Sequence, residues 1–210
     1  MCGVFGFVAN KDGRLNMNVI KRIAVVTEQR GPHAWGVAWI TRDGRLRMYK
    51  QTGSIVDSIN QLEMVRDAVM LIGHTRFATH GDYNNNLNNH PHPSDGGWIV
   101  HNGVIHNYQS IIKHHSLNPT TECDSEIIGL LIEQLDGDLL TRCLETANIT
   151  GTSRFAMLGI WKPGTLIAIR KGNPLHIGKT RGGTYIASLP DELPSAKPLL
   201  DGIATSFNIS

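Results

Sequence analysis

The stretch Met1-Cys2-Gly3-Val4-Phe5-Gly6-Phe7 sets a small thiol residue directly after a methionine and directly ahead of an apolar run. Initiator methionine is generally removed when the second residue is small. Cys2 would then carry a thiol and a free α-amino group together. An α-amino group titrates near ~7.7–8 and a thiol near ~8.5, so one can act as base for the other around neutrality. A single N-terminal cysteine can thus be nucleophile and general base with no histidine required. The plainer reading is a small buried thiol at the start of a strand, Val4-Phe5-Gly6-Phe7-Val8. Which reading holds depends on whether the remaining chain supplies a substrate site.

The 210 residues suit one compact domain or at most two small ones, with enough chain to bury a core without disulfides or metals. A hydrophobic share of 40% with 18% charged residues describes an ordinary globular protein. The 22 glycines and 9 prolines predict many turns and short strands. A net charge of +2, from 20 basic and 18 acidic residues, leaves no electrostatic footprint for nucleic acid or for an anionic membrane. No apolar run is long enough to span a bilayer, and no basic segment leads into an apolar core as in a signal peptide. Cys2, Cys123 and Cys143 form neither an even framework nor a CxxC pattern, which favours a reducing cytoplasm.

Along the chain, Met17, Ile20, Ala24 and Thr27 fall at helical spacing, and Gly31-Pro32 is expected to stop that helix. Ala34–Ile40 is β-rich and turns through Arg42-Asp43-Gly44-Arg45 into Leu46–Tyr49, since Asp-Gly tolerates the positive φ angles of a tight hairpin. A weaker helical stretch over 56–66 precedes the apolar run Ala68–Gly73, expected as a central strand. From Arg76 to Gly97 the composition shifts to Asn, His, Gly and Pro, reading as a loop of about 20 residues, a length usually tied to function or disorder. Trp98–Val100 resumes a strand ending at His101-Asn102-Gly103. Helices are expected over 107–114, from Glu122 onward, and over 138–147. Strands follow over 153–161, 165–170, 175–178 and 184–187. Two groups of strands with helices between them predict an α+β or layered α/β protein. Neither GxGxxG nor GxxxxGK[ST] occurs, which weakens a nucleotide-binding reading.

Three polar clusters carry the chemistry. In Gly73-His74-Thr75-Arg76-Phe77-Ala78-Thr79-His80-Gly81, an arginine just past a buried strand is placed to grip a carboxylate in bidentate fashion. Four histidines over this stretch and Asn88-Asn89-His90-Pro91-His92 raise a metal reading, but only His90-x-His92 is a close pair and Asp82 stands alone. No metal site is expected, and loop-ordering hydrogen bonds are the plainer account. In His101-Asn102-Gly103, a side-chain amide beside an unobstructed backbone N–H can form an oxyanion hole, although Asn-Gly is more often a plain turn. In Glu122-Cys123-Asp124-Ser125-Glu126, Asp124 reads either as a helix-start acid or as a carboxylate for a substrate ammonium.

Taken together, these pieces resemble the glutaminase domain of the class II (N-terminal nucleophile) glutamine amidotransferases, in particular that of glucosamine-6-phosphate synthase. The resemblance rests on Met1–Gly6, Gly73–Gly81, Asn89-His90-Pro91-His92, His101–Ile105 with Asn107-Tyr108, and Asp124-Ser125-Glu126. A looser echo runs through Arg170–Gly178. Their order and separations agree over about residues 2–190, and several motifs in one order are more specific than any one alone. The resemblance implies a four-layer αββα sandwich and hydrolysis of the glutamine side-chain amide to glutamate and ammonia. It implies Cys2 as nucleophile with its own α-amino group as base, and Asn102 (side chain) and Gly103 (N–H) as oxyanion hole. Arg76 would bind the α-carboxylate and Asp124 the α-ammonium, Thr79 and His80 would line the pocket, and His90 would order the closing loop. No cofactor is implied.

The chain departs from the family pattern at Arg30-Gly31-Pro32-His33-Ala34-Trp35-Gly36, which lacks the usual Asp and Ser, and at Phe77, where the synthase has Trp. Residues 2–210 are expected to form a single glutaminase domain with no synthase domain, so that ammonia passes to a separate synthase partner. The competing expectations are an N-terminal-nucleophile hydrolase of another amide and a non-catalytic module that senses glutamine.

Overall fold

In the computed structural model, which describes residues 1–209, the opening apolar run becomes an interior strand. Strand β1 (Gly3–Ala9) lies between β4 (Ala68–Arg76) and β10 (Gly183–Ala187), antiparallel to both. Phe5 faces Gly73 on one side and Ala187 on the other. All seven residues of β1 are buried, which suits a continuous apolar run better than an alternating one. With β2 (Ala34–Thr41), β3 (Leu46–Thr52), β9 (His176–Lys179) and β11 (Lys197–Pro198) these strands form a seven-stranded antiparallel sheet, in the order β11-β9-β10-β1-β4-β2-β3.

A second antiparallel sheet has the order β12-β8-β7-β6-β5. It is built from β5 (His92–Ser94), β6 (Gly97–Gly103), β7 (Phe155–Trp161), β8 (Thr165–Lys171) and β12 (Ile203–Asn208). Its side chains divide by the two-residue period of a strand. Val100, Leu158, Ile160, Leu166 and Ala168 join the core shared with Val4, Val8 and Ile72 of the first sheet. Ile99, Met157, Trp161, Ile167 and Ile169 belong to a separate core with Ile111, Ile127, Leu131 and Cys143. That second core is closed by α2 (Tyr108–His115), α3 (Glu126–Gln134) and α4 (Leu139–Ile149). On the far side of the first sheet, α1 (Met17–Glu28) buries Ile20, Ile23 and Ala24. The layers run helix, sheet, sheet, helix, the αββα arrangement that the resemblance implies.

Several local expectations change. The Ala68–Gly73 strand continues to Arg76, so Arg76 lies at a strand end rather than in a loop, while the strand resuming at Trp98 ends at His101-Asn102-Gly103 as expected. The 76–97 stretch holds a 3₁₀ turn (Asn86–Asn88) and β5, and the 56–66 helix is a 3₁₀ segment (Ile59–Val65). Helix α1 ends before Gly31, capped at Gln29 with right-handed backbone. In the β2–β3 hairpin only Gly44 takes a positive φ, 80°, so the loop is four residues wide rather than a two-residue turn. Strands β11 and β12 carry too little apolar patterning to be read in advance; β12 has only exposed and half-buried positions, at a sheet edge. Among the described residues no helix is long and apolar enough to cross a membrane.

Candidate active site

Cys2 sits immediately before β1 and is fixed through its backbone. The Arg30 Nε–H donates to the Cys2 carbonyl at 2.7 Å. The thiol lies against Phe77, whose N–H donates to Sγ at 3.4 Å while Sγ lies 3.4 Å from the Phe77 carbonyl oxygen. Cys2 is partly exposed. Burial of the sulfur is the main influence on its pKa and pushes it above the ordinary thiol value; the Phe77 amide, the chain's amino group and Arg76 pull it back down, and Asp124 opposes them. Arg76 and Asp124 therefore both lie within electrostatic reach of the thiol.

Segment 30–33, where the sequence departs from the family pattern, joins Cys2 to the end of β4. The His33 N–H donates to the Arg76 carbonyl at 3.0 Å, and the Ala78 N–H donates to His33 Nδ1 at 3.1 Å. The His33 ring stacks on Phe77 (4.9 Å between centroids) and Tyr83 (4.8 Å). Gly31 is needed for space, since a Cβ there would lie 2.3 Å from both Arg76 C and Phe77 N. Arg30 and His33 were assigned no role from sequence. A change of residue type was legible there; the contacts replacing the missing Asp and Ser were not.

Buried Arg76 is largely engaged within its own loop. It donates to Asn89 Oδ1 at 2.5 Å, to the Gly81 carbonyl at 3.1 Å and to the His80 carbonyl. Asp124 is equally buried. Its Oδ2 accepts from the Ile105 N–H at 2.7 Å and lies 3.9 Å from His80 Nδ1. Asp124 does not cap α3: the N-cap residue is Ser125, and the helix-start carboxylate is Glu126, which accepts from the N–H groups of Thr120 and Thr121. The expected cation and anion thus touch His80 from two sides.

Asn102 and Gly103 end β6. Asn102 is 1% exposed; its carbonyl accepts from Asn173 Nδ2 at 2.7 Å, and its own Nδ2 is buried without a hydrogen-bond partner. A Cβ on Gly103 would come within 2.5 Å of the Arg154 carbonyl oxygen and of His101 Nε2. Cys2, Thr79, Asn102 and Gly103 line one cavity of about 610 Å³, together with Met1, Phe77, Asn107 and Arg154. Arg76, His80, Asp124 and His90 lie outside that lining.

Beneath the site lies a file of buried histidines. His74 Nε2 is 3.0 Å from the His101 carbonyl, and His101 Nδ1 is 2.9 Å from Ser125 Oγ. The His74 ring stacks on His90 at 4.0 Å, and His90 meets His92 edge-on at 4.5 Å. Burial drives all four below the ordinary imidazole pKa, His74 to about 3 and His101 to about 4, so they are neutral at pH 7. His90 is therefore a core residue under the loop, making no hydrogen bond through either ring nitrogen.

A family model described as "Glutamine amidotransferases class-II" matches residues 1–147. The chain is 35% identical to the glutamine–fructose-6-phosphate aminotransferase [isomerizing] of Aquifex aeolicus, over 95% of this chain and 34% of that protein. The namesake enzyme of Clostridium acetobutylicum is 33% identical over 90% of the chain and 31% of its own length. The chain spans about a third of the length of these curated relatives. Among solved structures, glutamine phosphoribosylpyrophosphate amidotransferase from B. subtilis aligns over all of this chain and 49% of its own, with TM-score 0.74 and 20% identity. A glutamine aminotransferase class-II domain protein from Silicibacter pomeroyi aligns over 100% of both chains, with TM-score 0.65 and 15% identity. These structural likenesses carry the fold.

Proposed function

The chain belongs to the class II glutamine amidotransferases, and from that premise we propose that it hydrolyses the side-chain amide of glutamine with Cys2 as nucleophile. Loss of Met1 would free the Cys2 amino group and remove a side chain that lines the cavity. That amino group takes the thiol proton as Sγ attacks the amide carbon. The resulting oxyanion is held by Asn102 Nδ2 and the Gly103 N–H, and the amino group returns the proton to the departing ammonia. Water then hydrolyses the thioester, releasing glutamate and restoring the thiol. The observation that carries this reading is the buried, unpartnered Asn102 Nδ2 on the same cavity lining as Cys2. An unpaired buried amide is costly, and a developing oxyanion would satisfy it.

Glutamine recognition is assigned to Arg76 for the α-carboxylate and Asp124 for the α-ammonium, with Thr79 and His80 beside them. Both charges meet at His80 and both act on the Cys2 thiol. Because neither lines the cavity, binding on this reading requires the 77–83 loop to shift and free part of the Arg76 guanidinium. We read residues 2–210 as one glutaminase unit, supported by β1 pairing with β10 across most of the chain. Its ammonia passes to an acceptor site on a synthase unit beyond these residues. Three unpaired cysteines fit a cytoplasmic setting.

The test is glutamine turnover by the wild type and by Cys2→Ala, with intact-mass measurement of the N-terminus. The processed wild type should release glutamate and ammonia and be labelled covalently by a glutamine-like electrophile. Cys2→Ala should do neither, and full turnover in that variant would end the proposal, as would full activity in protein that keeps Met1. For Arg76→Ala the expected effect is a rise in KM for glutamine of at least tenfold; unchanged saturation would remove its assignment.

A further inference from the structure

Three donor groups that glutamine hydrolysis does not use meet beside the histidine file. His90, His92 and Cys123 each present a ligand atom, and these atoms all lie within 4.8 Å of one another. The residues are 3%, 1% and 5% exposed. Both ring nitrogens of His90 and the Nε2 of His92 have no hydrogen-bond partner. Buried polar atoms in folded proteins are nearly always paired, so two histidines that carry unpartnered ring nitrogens and each bring one donor atom close to a single thiol call for an occupant. We propose that His90, His92 and Cys123 form a structural site for a single zinc-class divalent ion.

The donor set selects the ion. Two imidazole nitrogens and one thiolate suit Zn²⁺ and exclude Mg²⁺ or Ca²⁺, which require oxygen ligands. Tetrahedral Zn²⁺ with bonds of about 2.0–2.3 Å draws its ligands to roughly 3.4–3.8 Å apart, which small side-chain rotations reach from the spacing here. Burial keeps both imidazoles neutral, the form that binds metal. Cys123 binds as the thiolate, so formation of the S–metal bond releases one proton to solvent and changes no oxidation state. Three protein donors leave one tetrahedral position for water.

The Asn88 side chain holds the two ligand segments together without help from the ion. The Glu122 N–H donates to Asn88 Oδ1 at 2.9 Å, and Asn88 Nδ2 donates back to Glu122 Oε2 at 3.0 Å. These bonds tie the residue before Cys123 to the residue two before His90. His90 and His92 are two residues apart, and their rings meet edge-on with centroids 4.5 Å apart. Charge acts in both directions. Lys50 Nζ donates to the carbonyls of Asn89 (2.7 Å) and Pro91 (3.3 Å), and its cation opposes a second one. The thiolate itself and Asp124, whose Oδ1 is 3.9 Å from Cys123 Sγ, favour a cation.

The experiment titrates the metal-free full chain with Co²⁺, a spectroscopic stand-in for Zn²⁺, and follows the sulfur-to-cobalt charge-transfer band and the visible bands of four-coordinate cobalt. The expected result is one ion per chain, displaced by Zn²⁺. Affinity should fall at least 100-fold in Cys123→Ser and be retained in Cys2→Ser. Zn²⁺ should raise the Tm of the wild type and leave that of Cys123→Ser unmoved. Far-ultraviolet circular dichroism and glutamine turnover by Cys123→Ser establish that the variant is folded. The proposal is overturned if no thiolate–cobalt band forms, if the band follows Cys2, or if Cys123→Ser binds like the wild type; an ordered water would then satisfy the ring nitrogens. Because Cys2→Ser abolishes glutaminase chemistry but not the cobalt band, failure of one proposal is distinguishable from failure of the other.

Discussion

Three thiols of one residue type occupy three different environments, and their reactivity should separate accordingly. Burial pushes Cys123 and Cys143 up to about 12; burial of the sulfur raises Cys2 as well, but the Phe77 amide, the amino group and Arg76 pull it back, and the residue is partly exposed. Native metal-free protein at pH 8 should take up one iodoacetamide, on Cys2, and unfolded protein three; peptide mass spectrometry showing Cys123 or Cys143 alkylated first would contradict this. Processed protein should also alkylate faster than protein retaining Met1, because the ammonium then sits on Cys2 itself and stabilises the thiolate. The residue scale was also where the sequence was most legible. Cys2, Asn102 and Gly103 stand in short motifs of distinctive residue type, and folding brings all three to one cavity lining. Cys123 and His92 were not legible as a pair, since their proximity is created by folding across some thirty residues of chain. Arg76 was expected in a loop, and its place at the end of β4 follows from pairing with Ala34 of β2, which no local pattern announces.

At the scale of elements, the site depends on how closely the α1–β2 connection approaches the end of β4. Gly31→Ala would drive a Cβ to 2.3 Å from two backbone atoms that cannot rotate away. The expected cost is about 1–3 kcal/mol of stability, read as a lower urea midpoint, together with a several-fold rise in KM for glutamine as the Arg76–Phe77 backbone is displaced. Unaltered stability and KM in that variant would show that the connection moves freely. Helices were readable from apolar spacing because each buries one defined face, and central strands from unbroken apolar runs because both of their faces are buried. Their ends were less so: β4 and β6 each run three residues past their apolar stretches, carried by ladder hydrogen bonds to neighbours that tolerate polar side chains. β12 was missed for the reverse reason, its position on an open edge leaving little apolar signal.

Over the whole molecule, the buried histidines make stability depend on pH in a predictable sense. His74 and His101 titrate at about 3 and about 4 when folded, against roughly 6.5 when unfolded. Between those values the unfolded chain binds more protons, so stability is held above pH ~6.5 and falls as the pH drops below it. The slope is up to about 1.4 kcal/mol per pH unit for each histidine. For metal-free protein, moving from pH 7.5 to 5.5 should therefore lower the unfolding free energy by on the order of 2–3 kcal/mol from His74 and His101, with His90 and His92 adding to the loss in the same direction, measured from urea midpoints; equal midpoints would show that these rings are not buried neutral. The layer order was legible only through the resemblance, because alternation along a strand reports which residues face inward and not which sheet they meet. The interior position of β1 has a consequence for synthesis. Its partner β10 leaves the ribosome on the order of ten to forty seconds later, at ~5–20 residues per second. For that interval the apolar strand behind Cys2 has an unpaired edge, and a nascent chain halted before Gly183 would carry every proposed catalytic group without the strand that closes this side of β1. On the reading proposed above, removal of Met1 would then meet a terminus whose cavity is still incomplete, since the lining of that cavity extends to Asn173.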